Sequence, residues 1–372
     1  MKKIKVLSVF GTRPEAIKMA PLVKELNNRK EIESVVCVTA QHRKMLDQIL
    51  EKFSIAPQYD LDVMEKNQTL NSITSKILNK LDDVIKNEKP DIVLVHGDTT
   101  TTFSSALAAF YNRVDIGHVE AGLRTNNKYS PYPEEMNRRM VDVMADMFFA
   151  PTNDSKENLL KEGVQAEKIF VTGNTVIDAL STTITKEYSN DLLNWVGKNE
   201  KLILLTTHRR ENLGKPMENI FKAVKRIVEE FEDVKVIYPV HLNPRIREIA
   251  NQAFKDCEKI KMIDPLNVVD FHNFQNKSYL ILSDSGGIQE EAPSLGKPVL
   301  VLRDTTERPE GVAAGTLKLV GTAEENIYFE TKKLIVDQNE YKKMSNASNP
   351  YGDGKASKRI VDAIIKKYTT IV

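Results

Sequence analysis

Short apolar runs alternate with amphipathic stretches along nearly the whole chain, and this rhythm limits the fold more than any other feature. In the first half, the apolar runs that we predict to be strands are 5–10, 35–39, 92–96, 115–119, 147–150 and 169–171. Helical patterns lie between them, at 16–27, 45–53, 70–87 and 101–111. Because such apolar runs separated by helices are typical of a parallel sheet covered on both faces, the sequence predicts an α/β fold.

The second half repeats this rhythm in the stretches KLILLTTH, VKVIYPVH, YLILSDSG and PVLVLRD. A chain of 372 residues is also longer than one ordinary hydrophobic core requires. We therefore predict two doubly wound, Rossmann-like domains, residues 1–172 and 173–357, with a boundary near TGNTVIDAL. A last helix, within 358–372, is expected to pack back on the first domain.

The composition is ordinary for a globular protein and excludes several classes of function. The net charge of +1 removes the usual basis for binding nucleic acid or a membrane surface. The two cysteines, Cys37 and Cys257, form neither a disulfide framework nor a zinc spacing, which favours a reducing compartment, the cytoplasm. The apolar run at 6–10 is too short for a signal-peptide core, and no stretch approaches the length of a membrane span.

Charged residues follow several predicted strands, where open parallel sheets bind their ligands. After the first strand, GTRPEAIK places Arg13 in the loop and Lys18 in the next helix. This loop has one glycine and is not the G-x-G-x-x-G dinucleotide fingerprint. A helix start with two cations suits an anion, although both could equally be solvated surface residues.

Three acids could converge on the same edge. Asp98 and Glu120 each end a strand; Asp98 could simply cap the helix that follows, whereas Glu120 has no such explanation. Glu134 stands in SPYPEEMNRR, which is also a good ordinary helix start. In that interpretation Pro133 is the first helical residue, and the spacing makes Glu134–Arg138 and Glu135–Arg139 i,i+4 pairs.

The second half offers groups that suit a phosphate. The motif TTHRREN puts His208 and Arg209 after a strand, and SDSGGIQEEA places Ser285, Gly286 and Gly287 at the start of a helix. Small residues there let backbone N–H groups approach a phosphate. Glu290 or Glu291 could accept hydrogen bonds from ribose hydroxyls, and Arg308 follows the next strand.

Other signals are weaker. His118 and His241 are single histidines, which are more often structural than functional. The chain has no H-E-x-x-H motif, no cysteine cluster and no G-x-S-x-G elbow, so we expect no metal and no serine nucleophile. A nucleotide-binding second domain opposite acids and cations in the first predicts an enzyme that acts on a nucleotide sugar.

The motifs also carry a resemblance that runs in order over nearly the whole chain. The chain resembles the non-hydrolysing UDP-N-acetylglucosamine 2-epimerase family in these motifs, taken in order: FGTRPEAIKMAPL, TAQHRKMLDQ, VHGDTTTT, GHVEAGLRT, SPYPEEMNRR, HRRENLG, YPVHLNP, the long block DSGGIQEEAPSLGKPVLVLRDTTERPEG, and NPYGDGKAS. The resemblance implies a glycosyltransferase-B-like fold with the active site in the interdomain cleft, a homodimer, and no cofactor. It implies reversible conversion of UDP-GlcNAc to UDP-ManNAc. The implied mechanism is anti elimination of UDP, a 2-acetamidoglucal intermediate and re-addition of UDP. The product would supply ManNAc-type sugars for cell-surface polysaccharide or glycan synthesis.

The resemblance also assigns roles to individual residues. It implies an acid–base group of Asp98, Glu120 and Glu134, with the order of base and acid left open. The diphosphate is implied to be held by Arg13, Lys18 and His208, and the phosphate and ribose by Ser285, Gly286, Gly287 and Glu291, with Arg308 near the sugar–phosphate. The uracil is implied to be held by Phe271 and the backbone around Leu266, and Arg138 is implied to support the glutamates. His208 is also implied to help UDP leave.

A second, allosteric UDP-GlcNAc site occurs in bacterial members of this family. Gln41, Arg209 and His241 match that site. Lys44 and Asn67 depart from it, because some members have glutamine and arginine at these positions. Three alternatives to the epimerase remain open: a hydrolysing 2-epimerase, a glycosyltransferase on the same fold, and a catalytically silent nucleotide-sugar sensor.

Overall fold

Two parallel β-sheets, one in each half of the chain, form the framework of this computed structural model. The structure describes residues 2–40, 43–65, 68–306 and 308–370, and gives only the backbone at 43–45 and 210. The first unit extends to Thr182 and includes the chain from Tyr351 onward, whereas the second comprises Thr183–Pro350. The division thus falls after Thr182 rather than after Thr172, the boundary that the sequence predicts.

The first unit contains a seven-stranded sheet in the order β3-β2-β1-β4-β5-β6-β7. Its strands are β1 (Ile4–Phe10), β2 (Ile32–Val38), β3 (Tyr59–Asp60), β4 (Ile92–His96), β5 (Asp115–Val119), β6 (Met147–Ala150) and β7 (Ile169–Val171). Its helices are α1 (Arg13–Asn27), α2 (Arg43–Lys52), α3 (Leu70–Glu88), α4 (Thr100–Tyr111), α5 (Glu134–Met144), α6 (Asn153–Lys161) and α7 (Thr175–Thr183).

The second unit contains a six-stranded sheet in the order β10-β9-β8-β11-β12-β13. Its strands are β8 (Lys201–Thr206), β9 (Val234–Pro239), β10 (Ile260–Ile263), β11 (Leu280–Ser283), β12 (Val299–Val301) and β13 (Leu317–Leu319). Its helices are α8 (Asp191–Asn194), α9 (Lys215–Glu230), α10 (Pro244–Phe254), α11 (Val268–Lys277), α12 (Gly286–Ser294), α13 (Pro309–Ala313), α14 (Glu324–Val336) and α15 (Gln338–Ser345).

The last helix, α16 (Ala356–Thr369), belongs to the first unit. The Asp178 carboxylate accepts hydrogen bonds from the backbone N–H groups of Ala356 and Ser357 at its start, at 3.1 and 2.8 Å. At its other end, the Tyr368 hydroxyl donates to the carbonyl of Asp91 at 2.9 Å. Both ends of α16 are therefore held by the first unit.

The α/β prediction is confirmed, and β4 to β7 have the predicted bounds. Three strands that the sequence does not reveal are β3, β10 and β13, and all three lie at sheet edges. Each is only partly buried. Each of the three also contains a charged residue, so it lacks the continuous apolar run by which β7, itself an edge strand, is recognised.

In the part of the chain that the structure describes, no helix combines the length and the apolar composition that crossing a bilayer requires.

Gly122 in the loop after β5 is required by both its conformation and its surroundings. Its φ is +84°, and a Cβ there would lie 2.2 Å from the backbone oxygen of Ser155. Gly163 has a similar φ of +89° but would place a Cβ in open space.

We expect Gly163→Ala to lower the free energy of unfolding by about 1–2 kcal/mol from backbone strain alone. Gly122→Ala should lower it by about 1–3 kcal/mol more, because its Cβ would also overlap the backbone of Ser155. Urea unfolding of both variants measures the difference, and equal losses would contradict it.

Candidate active site

In each sheet the strand order reverses at one point, and open α/β sheets bind ligands beyond the carboxyl ends of the strands there. In the first unit this switch point lies between β1 and β4, with β5 next to β4. The segments that follow these three strands carry Arg13, at the first position of α1, and Asp98 and Glu120 in loops. The structure therefore gathers these predicted residues at one edge of the first sheet.

Glu120 has an unusual backbone conformation, and several donors surround its side-chain carboxylate. Its φ of +68° is uncommon for a residue other than glycine. Its Oε2 lies 2.5 Å from Nζ of Lys18, 3.0 Å from Nδ2 of Asn174 and 3.4 Å from Nε2 of His96. Burial opposes ionisation of this carboxyl, but the neighbouring Lys18 and His96 lower its pKa well below the usual value. Glu120 is thus kept as a carboxylate in a buried position.

Asp98 does not cap the helix that follows it. The N-cap of α4 is Thr99, whose hydroxyl accepts the backbone N–H of Thr102 at 3.1 Å. The Asp98 carboxylate instead forms an ion pair with Arg138. Its backbone carbonyl accepts from Nδ2 of Asn137 at 2.9 Å. The capping alternative is therefore wrong, and Asp98 faces the start of α5.

The two glutamates at the start of α5 differ sharply. Glu135 is completely buried, accepts the backbone N–H groups of Thr125 and Asn126 at 3.0 Å, and pairs with Arg138 at 3.1 Å. Glu134 has a buried Oε2 with no hydrogen-bond partner among the described residues. Glu135 is structural, whereas Glu134 keeps an oxygen available.

The i,i+4 pairs expected in this stretch are not formed. Arg138 pairs with Asp98 and Glu135, and Arg139 lies 3.6 Å from Glu162 instead of pairing with Glu135. Pro133 occupies the N-cap rather than the first helical position. Partners from other loops compete successfully with the weak pairs along the helix surface.

The loop after β1 is ordered by Glu15, a residue that the sequence analysis does not single out. Its Oε2 accepts the backbone N–H of Thr12 at 2.8 Å, and its Oε1 accepts the Thr99 hydroxyl at 2.8 Å. Thr12-x-x-Glu15 is a capping box, which is a recognisable sequence signal. Glu15 thereby ties the start of α1 to the loop that carries Asp98.

Arg13 is the first residue of α1, and burial lowers the pKa of its guanidinium. No carboxylate pairs with it among the residues that the structure describes. An uncompensated guanidinium at a helix start is suited to an anionic ligand.

His118 is structural, as single histidines usually are. Its ring is fully buried, with Nδ1 2.6 Å from the Asp142 carboxylate and Nε2 2.7 Å from the Gly97 carbonyl. Arg124 also pairs with Asp142, at 2.7 Å. Because Gly97 immediately precedes Asp98, this network fixes the backbone that presents the catalytic candidate.

In the second unit the switch point lies between β8 and β11. Asp284, which follows β11, is completely buried and accepts the backbone N–H groups of His208 and Arg209 at 3.0 Å. Its Oδ1 lies 3.0 Å from Nδ1 of His208, and Asn212 donates to its Oδ2 at 3.0 Å. Burial opposes ionisation of Asp284, but the hydrogen bond and charge of His208 lower its pKa. Sequence reasoning missed Asp284 as the organiser of this loop.

The start of α12 has the features of a phosphate site. Its N-cap, Ser285, makes no side-chain capping bond. A Cβ on Gly286 would lie 3.3 Å from the Arg308 guanidinium, so glycine lets this cation lie against the helix start. Arg308 is oriented by Glu290, which is 2.7 Å away. The structure thus brings together Ser285, Gly286 and Arg308, with Gly287 in the same first turn.

The predicted ribose and uracil residues lie in α11 and α12 and in the loop before α11. Oε2 of Glu291 accepts Nε2 of Gln275 at 2.7 Å and lies 3.6 Å from the buried His272 ring. Leu266 and Phe271 both pack, partly exposed, against the same hydrophobic cluster of the second unit. Both side chains are therefore partly buried in the second unit.

Only part of the predicted allosteric set falls within the described structure. Arg209 Nε donates to the Asp284 carbonyl at 3.3 Å. His241 stacks against His208, with ring centroids 6.1 Å apart. Gln41 and Asn67 lie outside the described residues, as does the side chain of Lys44.

The described side chains form no group of three or more His, Cys, Asp and Glu residues that could hold a metal ion.

Comparisons with known proteins agree with this geometry. A family model described as UDP-N-acetylglucosamine 2-epimerase matches residues 24–365. The UDP-N-acetylglucosamine 2-epimerase of Bacillus subtilis is 66% identical and the match covers 99% of this chain and 97% of the relative. The structure of the Neisseria meningitidis UDP-GlcNAc 2-epimerase bound to UDP-GlcNAc is 51% identical with a TM-score of 0.88, covering 97% of this chain and 100% of that one. The Methanocaldococcus jannaschii enzyme in complex with UDP-GlcNAc and UDP is 35% identical with a TM-score of 0.79, covering 97% and 99%.

The fold in these relatives is the two-domain, glycosyltransferase-B-like architecture, which agrees with the two parallel sheets described above. Sequence identity and structural similarity both extend over the segments that carry Asp98, Glu120, Glu134 and the start of α12. The chain therefore belongs to the UDP-N-acetylglucosamine 2-epimerase family.

Proposed function

We propose that this protein interconverts UDP-GlcNAc and UDP-ManNAc by inverting C2 of the sugar, without a cofactor. The observation that carries the proposal is the buried Glu120 carboxylate, held ionised by Lys18 at the switch point of the first sheet. The ligands named for the Neisseria and Methanocaldococcus relatives, UDP-GlcNAc and UDP, support the same substrate here.

The first half-reaction is an anti elimination. A carboxylate takes the proton from C2, the C2–H electron pair becomes the C1–C2 double bond, and the C1–O bond breaks so that UDP leaves with its electron pair. The product is 2-acetamidoglucal. No carbonyl group flanks C2, so removal of its proton must be coupled to the departure of a stabilised leaving group.

The second half-reaction reverses these steps on the opposite face. A carboxylic acid delivers a proton to C2, and UDP adds back to C1. Proton transfer on two faces requires at least two groups, and Asp98, Glu120 and Glu134 are our candidates. Asp98 is paired with Arg138, whereas Glu134 keeps an unpartnered oxygen. Two differently held carboxyls can divide the roles of acid and base.

The second unit supplies the nucleotide-binding groups in this proposal. The first turn of α12, with Ser285, Gly286 and Gly287, would receive phosphate oxygens, assisted by Arg308. His208 would stabilise the departing diphosphate, together with Arg13 and Lys18. The remaining contacts would be those of Glu291 with the ribose, and of Phe271 and the backbone around Leu266 with the uracil.

The test is turnover of UDP-GlcNAc in heavy water. We expect UDP-ManNAc to form and deuterium to appear at C2 of the product, because the proton lost in elimination exchanges with solvent. Free ManNAc as the only final sugar would indicate a hydrolysing epimerase instead. Epimerisation without any acceptor would exclude a glycosyltransferase as the explanation, and a protein that binds UDP-GlcNAc without converting it would be a sensor. UDP-ManNAc formed without deuterium at C2 would rule out elimination.

We also propose that the protein is a homodimer and that its product supplies ManNAc-type sugars for cell-surface polysaccharide or glycan synthesis. Apolar side chains stand exposed on the neighbouring helices α4 and α5: Val143 is 87% and Phe110 56% exposed. Such a surface favours association with another protein chain. Light scattering tests the dimer, since the mass of a single chain in solution would contradict it.

A further inference from the structure

His96, the last residue of β4, lies beside Glu120 and has no part in the chemistry proposed above. We propose that His96 is a positioning residue for this reaction: its Nε2 holds Oε2 of Glu120, so that the carboxylate stays ionised and Oε1 stays free for the substrate proton. The proposal rests on the proposed function, because that function places Glu120 in the acid–base group.

The His96 ring is buried, and its Nε2 has no hydrogen-bond partner among the described residues. A buried polar atom without a partner is costly, so such an atom in a native fold calls for an explanation. Nε2 lies 3.4 Å from Oε2 of Glu120, slightly beyond an ordinary hydrogen bond. Catalytic hydrogen bonds are often long before substrate binds and tighten in the complex.

All the donors that the structure places around Glu120 face the same oxygen. Lys18 from α1, Asn174 from the loop before α7, and His96 from β4 all lie within 3.4 Å of Oε2. In the described part of the chain none of them donates a hydrogen bond to Oε1. Because one oxygen carries the stabilising contacts, the other can accept a proton without first losing a hydrogen bond.

The second buried histidine of this region shows what a purely structural ring looks like. Both nitrogens of His118 are occupied, by Asp142 and by the Gly97 carbonyl. Nε2 of His96 has no such partner, and the carboxylate beside it is a catalytic candidate. This contrast favours a functional role for His96.

The test compares His96→Gln, His96→Asn and His96→Leu. A glutamine amide reaches the position of Nε2, whereas an asparagine amide reaches only that of Nδ1, so the first two variants form a matched pair of neutral donors. Lys18 and His96 are the titratable groups that the structure places against Glu120, and Lys18 is unchanged in all three variants.

Without the His96 donor the Glu120 carboxyl is protonated at higher pH. We therefore expect the acidic limb of kcat/KM to move up by about one pH unit in His96→Asn and His96→Leu. His96→Gln should keep the profile of the natural protein. A uniform loss of activity at every pH, or an unmoved limb in both the Asn and Leu variants, would overturn the proposal.

A second readout does not depend on turnover. In protein labelled with carbon-13 at the glutamate carboxyls, the Glu120 signal is identified by its loss in Glu120→Gln. Its titration midpoint should rise by about one unit in His96→Asn and remain unchanged in His96→Gln. If the natural protein does not epimerise UDP-GlcNAc, the proposed function fails, but this titration still decides whether His96 holds Glu120.

Discussion

Replacing any one of the three acid–base candidates by its amide should lower epimerase turnover at least ~100-fold, the lower range for a proton-transfer group. The variants are Asp98→Asn, Glu120→Gln and Glu134→Gln, each of which keeps the size of the side chain but cannot take up or release the proton. Turnover is measured by the ratio of UDP-GlcNAc to UDP-ManNAc over time at saturating substrate. Near-normal turnover in all three would refute the assigned roles.

Two controls separate chemistry from folding. Glu157→Gln changes an exposed carboxylate on α6 in the same way and should leave turnover unchanged. Thermal unfolding should show little change for Glu134→Gln, because the structure gives its Oε2 no partner to lose. Glu120→Gln should be less stable than the natural protein, since the Lys18 ammonium then lies buried beside a neutral amide.

The pH dependence of the natural protein follows from the same carboxylate. The pKa of Glu120 is lower in the folded protein than in the unfolded chain, so its contribution to stability is present above the unfolded value and is lost as pH falls through the folded one. Acid should therefore remove activity and stability through the same group.

Local sequence patterns predicted most strands of the first sheet well, including the edge strand β7, but missed three other edge strands. The strands β4 to β7 are mostly apolar, so their bounds could be read directly. The three missed strands are short and half-covered, so nothing in their composition separates them from loops. The capping box of Thr12 and Glu15 was a readable signal for the ordered first loop.

The contacts among the candidate residues could not be read from the order of the sequence. Glu120 and Asn174 are 54 residues apart, and His208 and Asp284 are 76 apart. Each pair is brought together only by the folding of its own unit. Reading along one helix suggested that Arg138 pairs with Glu134, yet Asp98, 40 residues away, takes that place. Residues whose role is to hold another side chain leave no local pattern.

Asp284 is such a residue, and its replacement by asparagine should have the second large effect. The carboxylate accepts two backbone N–H groups and Nδ2 of Asn212 while facing Nδ1 of His208. In Asp284→Asn an amide N–H₂ group must face one of these donors, and the negative charge beside the imidazole is lost. We expect kcat to fall by about 100-fold or more, as for other residues that orient a catalytic histidine.

The same variant should lose stability in a pH-dependent way. Because the folded pKa of Asp284 is lowered, its carboxylate contributes stability above the unfolded value, about 3.9. This contribution is lost as pH falls through the folded pKa. The difference in unfolding free energy between the natural protein and Asp284→Asn should therefore be full near neutral pH and shrink in acid. A difference that stays constant with pH would mean that the buried charge is not its source.

A double-mutant cycle decides whether Asp284 acts through His208. If it does, adding Asp284→Asn to the His208→Ala variant should lower turnover little further, because the ring that Asp284 orients is already absent. Independent effects would instead multiply, and Asp284 would then hold the loop for some other purpose. Calorimetry then measures the binding of UDP to each variant. If Asp284 orients His208 for UDP departure, its replacement should lower kcat more than it weakens UDP binding. If the loop collapses instead, kcat and UDP binding should fall together.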